Sequence, residues 1–273
     1  MNTSNRTALV TGASSGIGLA FSHLLAQEGY DVVLVARSED TLQALKEELI
    51  SKHSVQAYVF SYDLTDIDAP QKLFDQVQQQ SLSIHTLINN AGFGDYGEFV
   101  HSDWSKQQSM ISLNVMALTH LAHLFLPAMV ERGDGGILNV SSTAAFQPGP
   151  LMSVYFATKA YVLSLTEAIA AEVDGTGVKV SVLCPGPTQS NFAQAAEMGK
   201  VAENDGLSSD KIPSAEEVAS FGYKALQKGQ VVAVHGAINK VLTFSNRLAP
   251  RAVIRKGVKQ FMSAMKSESE KSA

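Results

Sequence analysis

Short segments such as "VVLV" (32–35), "VSVL" (180–183) and "VVAV" (231–234) are apolar almost throughout, with no alternation of polar residues. A strand of that kind needs cover on both faces, the condition of a parallel sheet sandwiched between helices. The candidate strands are Thr7–Thr11, Asp31–Val35, Val55–Phe60, Ile84–Asn89, Ile137–Val140, Val178–Leu183 and Val231–Val234. Amphipathic helical patterns lie between them near 16–28, 39–52, 67–80, 103–131, 152–174 and 214–228. Strands alternating with helices form βαβ units, and repeated units give a doubly wound, seven-stranded parallel sheet in three α/β/α layers.

The 273 residues, 45% of them hydrophobic, suffice for a large core. We expect one α/β domain over 1–236 and a basic, helical C-terminal extension over 237–273. From Ala237 onward eight Lys/Arg face two Glu, a local +6, which leaves −11 on the first 236 residues. The net charge of −5 gives no reason to expect a nucleic acid partner. A single cysteine, Cys184, excludes an internal disulfide framework and suits a reducing compartment. The opening "MNTSNR" lacks the apolar core of a signal peptide, so a cytoplasmic protein is expected. The apolar stretch 111–130 contains Asn114, two histidines and Pro127, and reads as a buried or dimer-facing helix, not a membrane span. Residues 185–213 break the strand–helix rhythm just after a strand, where such sheets bind ligands. They read as a mobile substrate loop or, alternatively, as a plain surface excursion.

The first strand runs directly into a glycine-rich turn and a helix, "ALVTGASSGIGLA". Gly12 permits a tight turn, Gly16 lets backbone approach a pyrophosphate, and Gly18 allows the helix to pack closely on the sheet. Free N–H groups at the helix start attract phosphate, and Ser14 and Ser15 add hydroxyl donors beside Ile17. At a strand–helix junction the motif reads as a Rossmann-type dinucleotide site, the alternative being a mere tight turn. The second strand ends in "VVLVARS", with Arg37 where an NAD site would place an acid. An arginine there suits the 2′-phosphate of NADP (NADPH), which is favoured over NAD. The alternative is a solvated Arg37, with Glu39 or Asp40 reaching the ribose.

"YFATK" puts Tyr155 and Lys159 one helical turn apart on the same face. Reduction of a carbonyl by hydride needs a proton donor at the developing alkoxide and a polarising hydrogen bond. A free phenol, with a pKa of about 10, is a poor donor near neutrality, and a nearby ammonium would lower it.

With "TGASSGIG", "NNAG" (89–92), Asn114, Ser142, "YFATK" and "PGPT" (185–188) in this order, the chain resembles the classical short-chain dehydrogenase/reductase family over about 1–235. The resemblance implies an NADP-dependent oxidoreductase with Asn114, Ser142, Tyr155 and Lys159 as its catalytic set. Tyr155 would be the general acid/base, Ser142 would hold the substrate oxygen, and Lys159 would also grip the nicotinamide ribose. Asn114 would bend its helix and hold a relay water, or serve as an interhelical amide. The resemblance also implies that Asp63 and Leu64 lie beside the adenine, and that Asn90, Ala91 and Gly92 line its ribose. Pro185, Gly186 and Thr188 would lie beside the nicotinamide. Asp63 has the alternative role of a turn or capping acid.

Phe93, Phe146 and Phe192, with Ser142 and Tyr155, are expected to line a pocket for an apolar ketone, aldehyde or secondary alcohol. No metal is expected: His120 and His123 lack a third ligand. The family resemblance implies a homodimer or homotetramer. In 238–266 apolar and basic residues interleave in two helical pieces broken near Pro250. These suit a membrane-surface helix or a tail packed over the active-site mouth or a neighbouring subunit, the second being preferred. Two other functions compete: a nucleotide sensor or scaffold without turnover, and a membrane-docked reductase of lipids, steroids or 3-oxoacyl esters.

Overall fold

The computed structural model describes residues 6–190, 192, 196 and 212–271. Its sheet has seven strands, all paired in parallel: β1 (Thr7–Thr11), β2 (Asp31–Ala36), β3 (Ala57–Ser61), β4 (Ile84–Asn89), β5 (Gly135–Val140), β6 (Val178–Cys184) and β7 (Val232–Val234). The strand order is β3-β2-β1-β4-β5-β6-β7. This is the expected Rossmann-type α/β sandwich. Successive residues of β1 and β2 point to opposite faces, which explains why both strands are apolar throughout. Ala8, Val10, Val32 and Leu34 join one core with Phe21, Leu25 and Leu42. Leu9, Val33 and Val35 join the other with Leu73, Leu121 and Phe125.

The helices are α1 (Gly16–Gln27), α2 (Glu39–His53), α3 (Ala69–Gln79), α4 (Trp104–Ile111), α5 (Leu118–Arg132), α6 (Ser153–Glu172) and α7 (Ala215–Gln227). Two more, α8 (Ala237–Leu248) and α9 (Arg251–Lys271), form the C-terminal extension. The stretch expected as one helix over 103–131 is interrupted by a π-helical turn, Ser112–Ala117, which carries Asn114. Its apolar content is used in packing, with Leu118, Leu121, Ala122, Phe125 and Met129 buried against the sheet.

Connections reverse direction between β1 and β4, the switch point at which open α/β sheets bind ligands beyond their C-terminal strand ends. Apart from Phe192 and Ala196, residues 191–211 of the expected substrate loop lie outside the described residues.

Candidate active site

The glycine turn is pinned from two sides. Gly12 N and Ala13 N donate to Val35 O at the end of β2, at 2.8 and 3.2 Å. Asn90 Nδ2 donates to Thr11 O at 3.0 Å, while Thr11 Oγ1 accepts from the backbone N–H groups of Asn90 and Ala91, both at 3.0 Å. "NNAG" and the turn therefore form one rigid unit. Gly12 (φ +68°) and Gly16 (φ +53°) occupy the left-handed region. Gly18 is glycine for steric reasons, since a Cβ there would lie 2.1 Å from Gly12 O.

Helix α1 begins with no side-chain cap on Ser15 and no acid in its first turn. The start of α7, by contrast, has a complete capping box between Ser214 and Glu217. An uncapped helix start above a glycine cradle that admits no side chain fits a pyrophosphate. Beside it, Arg37 is exposed past the end of β2. Asp63 is also exposed, but its Oδ1 accepts from Thr65 N and Oγ1 at 3.0 and 2.8 Å. The turn role of Asp63 is thus realised in the structure, and Leu64 next to it is buried.

Asn89 closes β4 with a buried amide ladder: its Nδ2 donates to Asn139 Oδ1 at 3.0 Å, and Asn139 Nδ2 donates to Thr166 Oγ1 at 2.9 Å. Asn114 is 1% exposed. Its Nδ2 donates to Phe93 O (2.9 Å) and Thr158 Oγ1 (3.1 Å), and its Oδ1 accepts from Phe93 N (3.2 Å). The side chain thus clamps the "NNAG" loop to α6, the interhelical role. The π-helical turn is the backbone distortion that brings it there. Gly92 lies between this amide and the lysine, and a Cβ on it would be 2.9 Å from Asn114 Oδ1 and 3.4 Å from Lys159 Nζ.

Tyr155, Lys159 and Ser142 converge at the ends of β5 and β6. Ser141 Oγ donates to Lys159 O at 2.8 Å and is committed to backbone, whereas Ser142 Oγ donates to Pro185 O at 3.5 Å. Ser142 Oγ accepts from Ala144 N at 3.1 Å. Lys159 Nζ donates to Val140 O at 2.9 Å and stands 5.7 Å from the centroid of the Tyr155 ring. Both side chains are buried, and burial dominates their acidity. It pushes the Tyr155 phenol up to about 12, opposed by the Ser142 hydrogen bond, and the Lys159 ammonium down to about 8. The lowering of Tyr155 by Lys159 expected from sequence is therefore overturned in the protein alone, because desolvation opposes charge on both groups. Near neutrality the site holds a protonated phenol beside an ammonium that retains its proton below about pH 8.

Pro185 O accepts from Thr143 N at 2.9 Å, and Thr188 Oγ1 donates to Gly186 O at 3.0 Å, so this segment is tied to the turn that follows β5. An apolar cluster joins Tyr155 to Phe93, Tyr96, Met152 and Phe192, which thus form a wall beside the phenol. The Phe192 ring lies 5.2 Å from that of Tyr155. Phe146 does not join them. It packs with Leu118, Val162 and Leu163 in a separate cluster, because the 3₁₀ turn Thr143–Phe146 directs it away while burying Ala144 against the wall.

Three further positions shape this cluster. A Cβ on Gly94 would lie 2.8 Å from Phe192 Cζ and 3.0 Å from Met152 Cε, so its lack of a side chain makes room for the wall. Val258 and Met262 of α9 complete that wall, and Tyr96 Oη donates to Met262 O at 3.2 Å. Their placement matches the preferred reading of the interleaved apolar residues in 238–266 as a tail packed over the active-site mouth. A separate apolar hollow of about 470 Å³, lined by Phe99, Ile111, Val115 and Val154 among others, does not include Tyr155 or Lys159.

With this geometry in place, comparison with known proteins is specific. The short chain dehydrogenase family profile matches residues 6–200. Sulfoacetaldehyde reductase 2 of Chromohalobacter salexigens is 34% identical over 216 residues, 78% of this chain and 85% of that protein. The very-long-chain 3-oxoacyl-CoA reductase of Rattus norvegicus is 31% identical over 247 residues, 86% of this chain and 75% of that protein. A short-chain dehydrogenase from Sphingobium yanoikuyae, solved in complex with NADPH, superposes with a TM-score of 0.77 at 30% identity, covering 89% of this chain and 94% of its own.

Proposed function

The chain belongs to the short-chain dehydrogenase family, and on that premise we propose that it is an NADP(H)-dependent reductase of an apolar ketone or aldehyde, with Tyr155 as general acid. The observation that carries this reading is the convergence of the buried Tyr155 and Lys159 with Ser142, the Tyr155 ring packed in an apolar cluster with Phe93, Met152 and Phe192. The nicotinamide, when bound, supplies the hydride to the carbonyl carbon. Ser142 polarises the carbonyl oxygen and fixes its position against the phenol. Tyr155 gives its proton to that oxygen, and Lys159 favours the resulting phenolate electrostatically until a proton returns from solvent. In the alcohol-oxidising direction the same groups run in reverse.

The test is an initial-rate screen with NADPH and NADH over a steroid ketone, a 3-oxoacyl ester, an aromatic aldehyde and a sugar. NADPH-dependent turnover of an apolar member is the expected result. NADPH binding without turnover of any would replace this reading with that of a nucleotide sensor.

The coenzyme choice rests on Arg37, exposed at the end of β2. Loss of a charge-assisted phosphate contact in Arg37→Ala should raise the KM for NADPH about tenfold or more, with little change for NADH. Equal effects on the two coenzymes would remove Arg37 from the 2′-phosphate site.

The pH profile follows from Lys159. Its ammonium, lowered to about 8 by burial, is present below that pH and lost above it, whereas Tyr155 keeps its proton to about 12. Reductive kcat/KM should therefore be level near neutrality and decline as pH rises through about 8. A profile that stays level until the phenol itself titrates would assign no role in reduction to the lysine charge.

A further inference from the structure

Helix α8 is amphipathic in the inverted sense. Its protein-facing positions are polar. Asn239 packs against Gly186, Thr243 is 7% exposed, and Asn246 Nδ2 donates to Gln147 Oε1 at 2.9 Å. Its outward positions are apolar: Ile238, Val241, Leu242 and Leu248 are 75, 69, 56 and 76% exposed, with Phe244 (61%) at the flank. The spacing 238, 241, 242, 248 places the four aliphatic residues on one stripe. Val253, at the start of α9, continues the apolar surface at 61% exposure. A soluble helix turns such a stripe inward; this one already uses its polar face to hold the protein.

The charge of the segment identifies what covers the stripe. Residues 237–266 carry seven Lys/Arg and no Asp or Glu, in a chain whose net charge is −5. Arg251, Arg255, Lys256 and Lys259 are exposed on α9 beside the stripe. A second copy seated symmetrically on this face would bring like charge against like charge. A surface that is apolar beneath a layer of negative charge fits both features. We propose that α8 and the first turns of α9 form an interfacial docking face for an anionic phospholipid membrane. The chain lies on the bilayer without crossing it. Because Val258 and Met262 of α9 close the wall beside Tyr155, docking seats the pocket mouth at the lipid surface, where an apolar substrate partitions. Docking itself does not depend on turnover.

The test is co-sedimentation of the full chain with phosphatidylcholine vesicles prepared with and without phosphatidylserine, alongside sedimentation velocity without lipid. The expected result is sedimentation with the anionic vesicles that weakens at high salt. The double variant Leu242→Glu/Leu248→Glu should bind about tenfold less tightly or worse, because it places charge where side chains enter the interface. Its thermal melt should match the unmodified protein, since both positions are exposed. Lys256→Glu/Lys259→Glu should reduce binding to anionic vesicles without altering the apolar stripe. Absence of lipid binding, or binding unchanged in both double variants, would overturn the proposal. So would a larger species without lipid that Leu242→Glu/Leu248→Glu dissociates while vesicles are ignored, which would assign the stripe to a second copy.

Discussion

Replacing Tyr155 by phenylalanine should reduce turnover by roughly a hundredfold to ten-thousandfold, the range of a lost general acid, while leaving NADPH binding nearly intact. The ring of Tyr155 is buried, 8% exposed, and packs edge-on against Phe156 at 6.1 Å and tilted against Phe192 at 5.2 Å. Phenylalanine preserves those contacts and removes only the hydroxyl, so the fold should lose little. Ser142→Ala should be less severe for the fold yet still lower turnover about a hundredfold, as for loss of one oxyanion donor. The two act on one oxygen, so the double variant should fall well short of the product of the single losses. The measurement is single-turnover reduction with NADPH saturating. Turnover within a few-fold of the unmodified protein in Tyr155→Phe would remove the phenol from the chemistry and leave the cofactor-binding fold without an assigned acid.

The sheet was legible because several strands are apolar on both faces and helical patterns separate the strands. Strand limits differ from the structure by a residue or two, as at β3, expected over Val55–Phe60 and found over Ala57–Ser61. The cofactor cradle was legible for a related reason: glycines at positions 12, 16 and 18 have few uses other than close backbone approach. What escaped was set by long-range packing. Local periodicity shows that α8 is two-sided but not which side the protein holds, and the polar side proved to face inward. Met262 joins the cluster at Tyr155 from 107 positions further on, the tail packing expected from the apolar residues of 238–266, although no spacing rule fixes which of them makes the contact. Phe146 lies four residues from Ser142, yet one 3₁₀ turn sends it to another cluster. The acidity of Tyr155 was misjudged because pairing with Lys159 was weighed without the burial that both residues share.

Gly18→Ala should be the most damaging single-methyl change in the nucleotide cradle. The added Cβ would stand 2.1 Å from Gly12 O, 2.8 Å from Gly12 C and 2.5 Å from Asn90 Nδ2. None of these is the free end of a flexible side chain. Gly12 is held through its N–H to Val35 O at 2.8 Å, and Asn90 Nδ2 is bonded to Thr11 O at 3.0 Å. Relief therefore requires α1 to move away from the turn, which opens the cradle and dislodges the "NNAG" loop. Overpacking of this kind costs about 3 kcal/mol or more, which in a domain of this size lowers Tm by roughly 5–10 °C. NADPH affinity should fall in parallel, because the N–H groups at the start of α1 leave their position above the turn. Gly29→Ala is the informative control. Gly29 has φ +81° but nothing within 4 Å of its missing Cβ, so alanine there meets only backbone strain of about 1 kcal/mol and no change in cofactor binding. If the two variants melt together and bind NADPH equally, steric closure at Gly18 is not what shapes the cradle. If Gly18→Ala alone loses both stability and NADPH affinity, the methyl-sized gap between turn and helix is what holds the phosphate-binding amides in place.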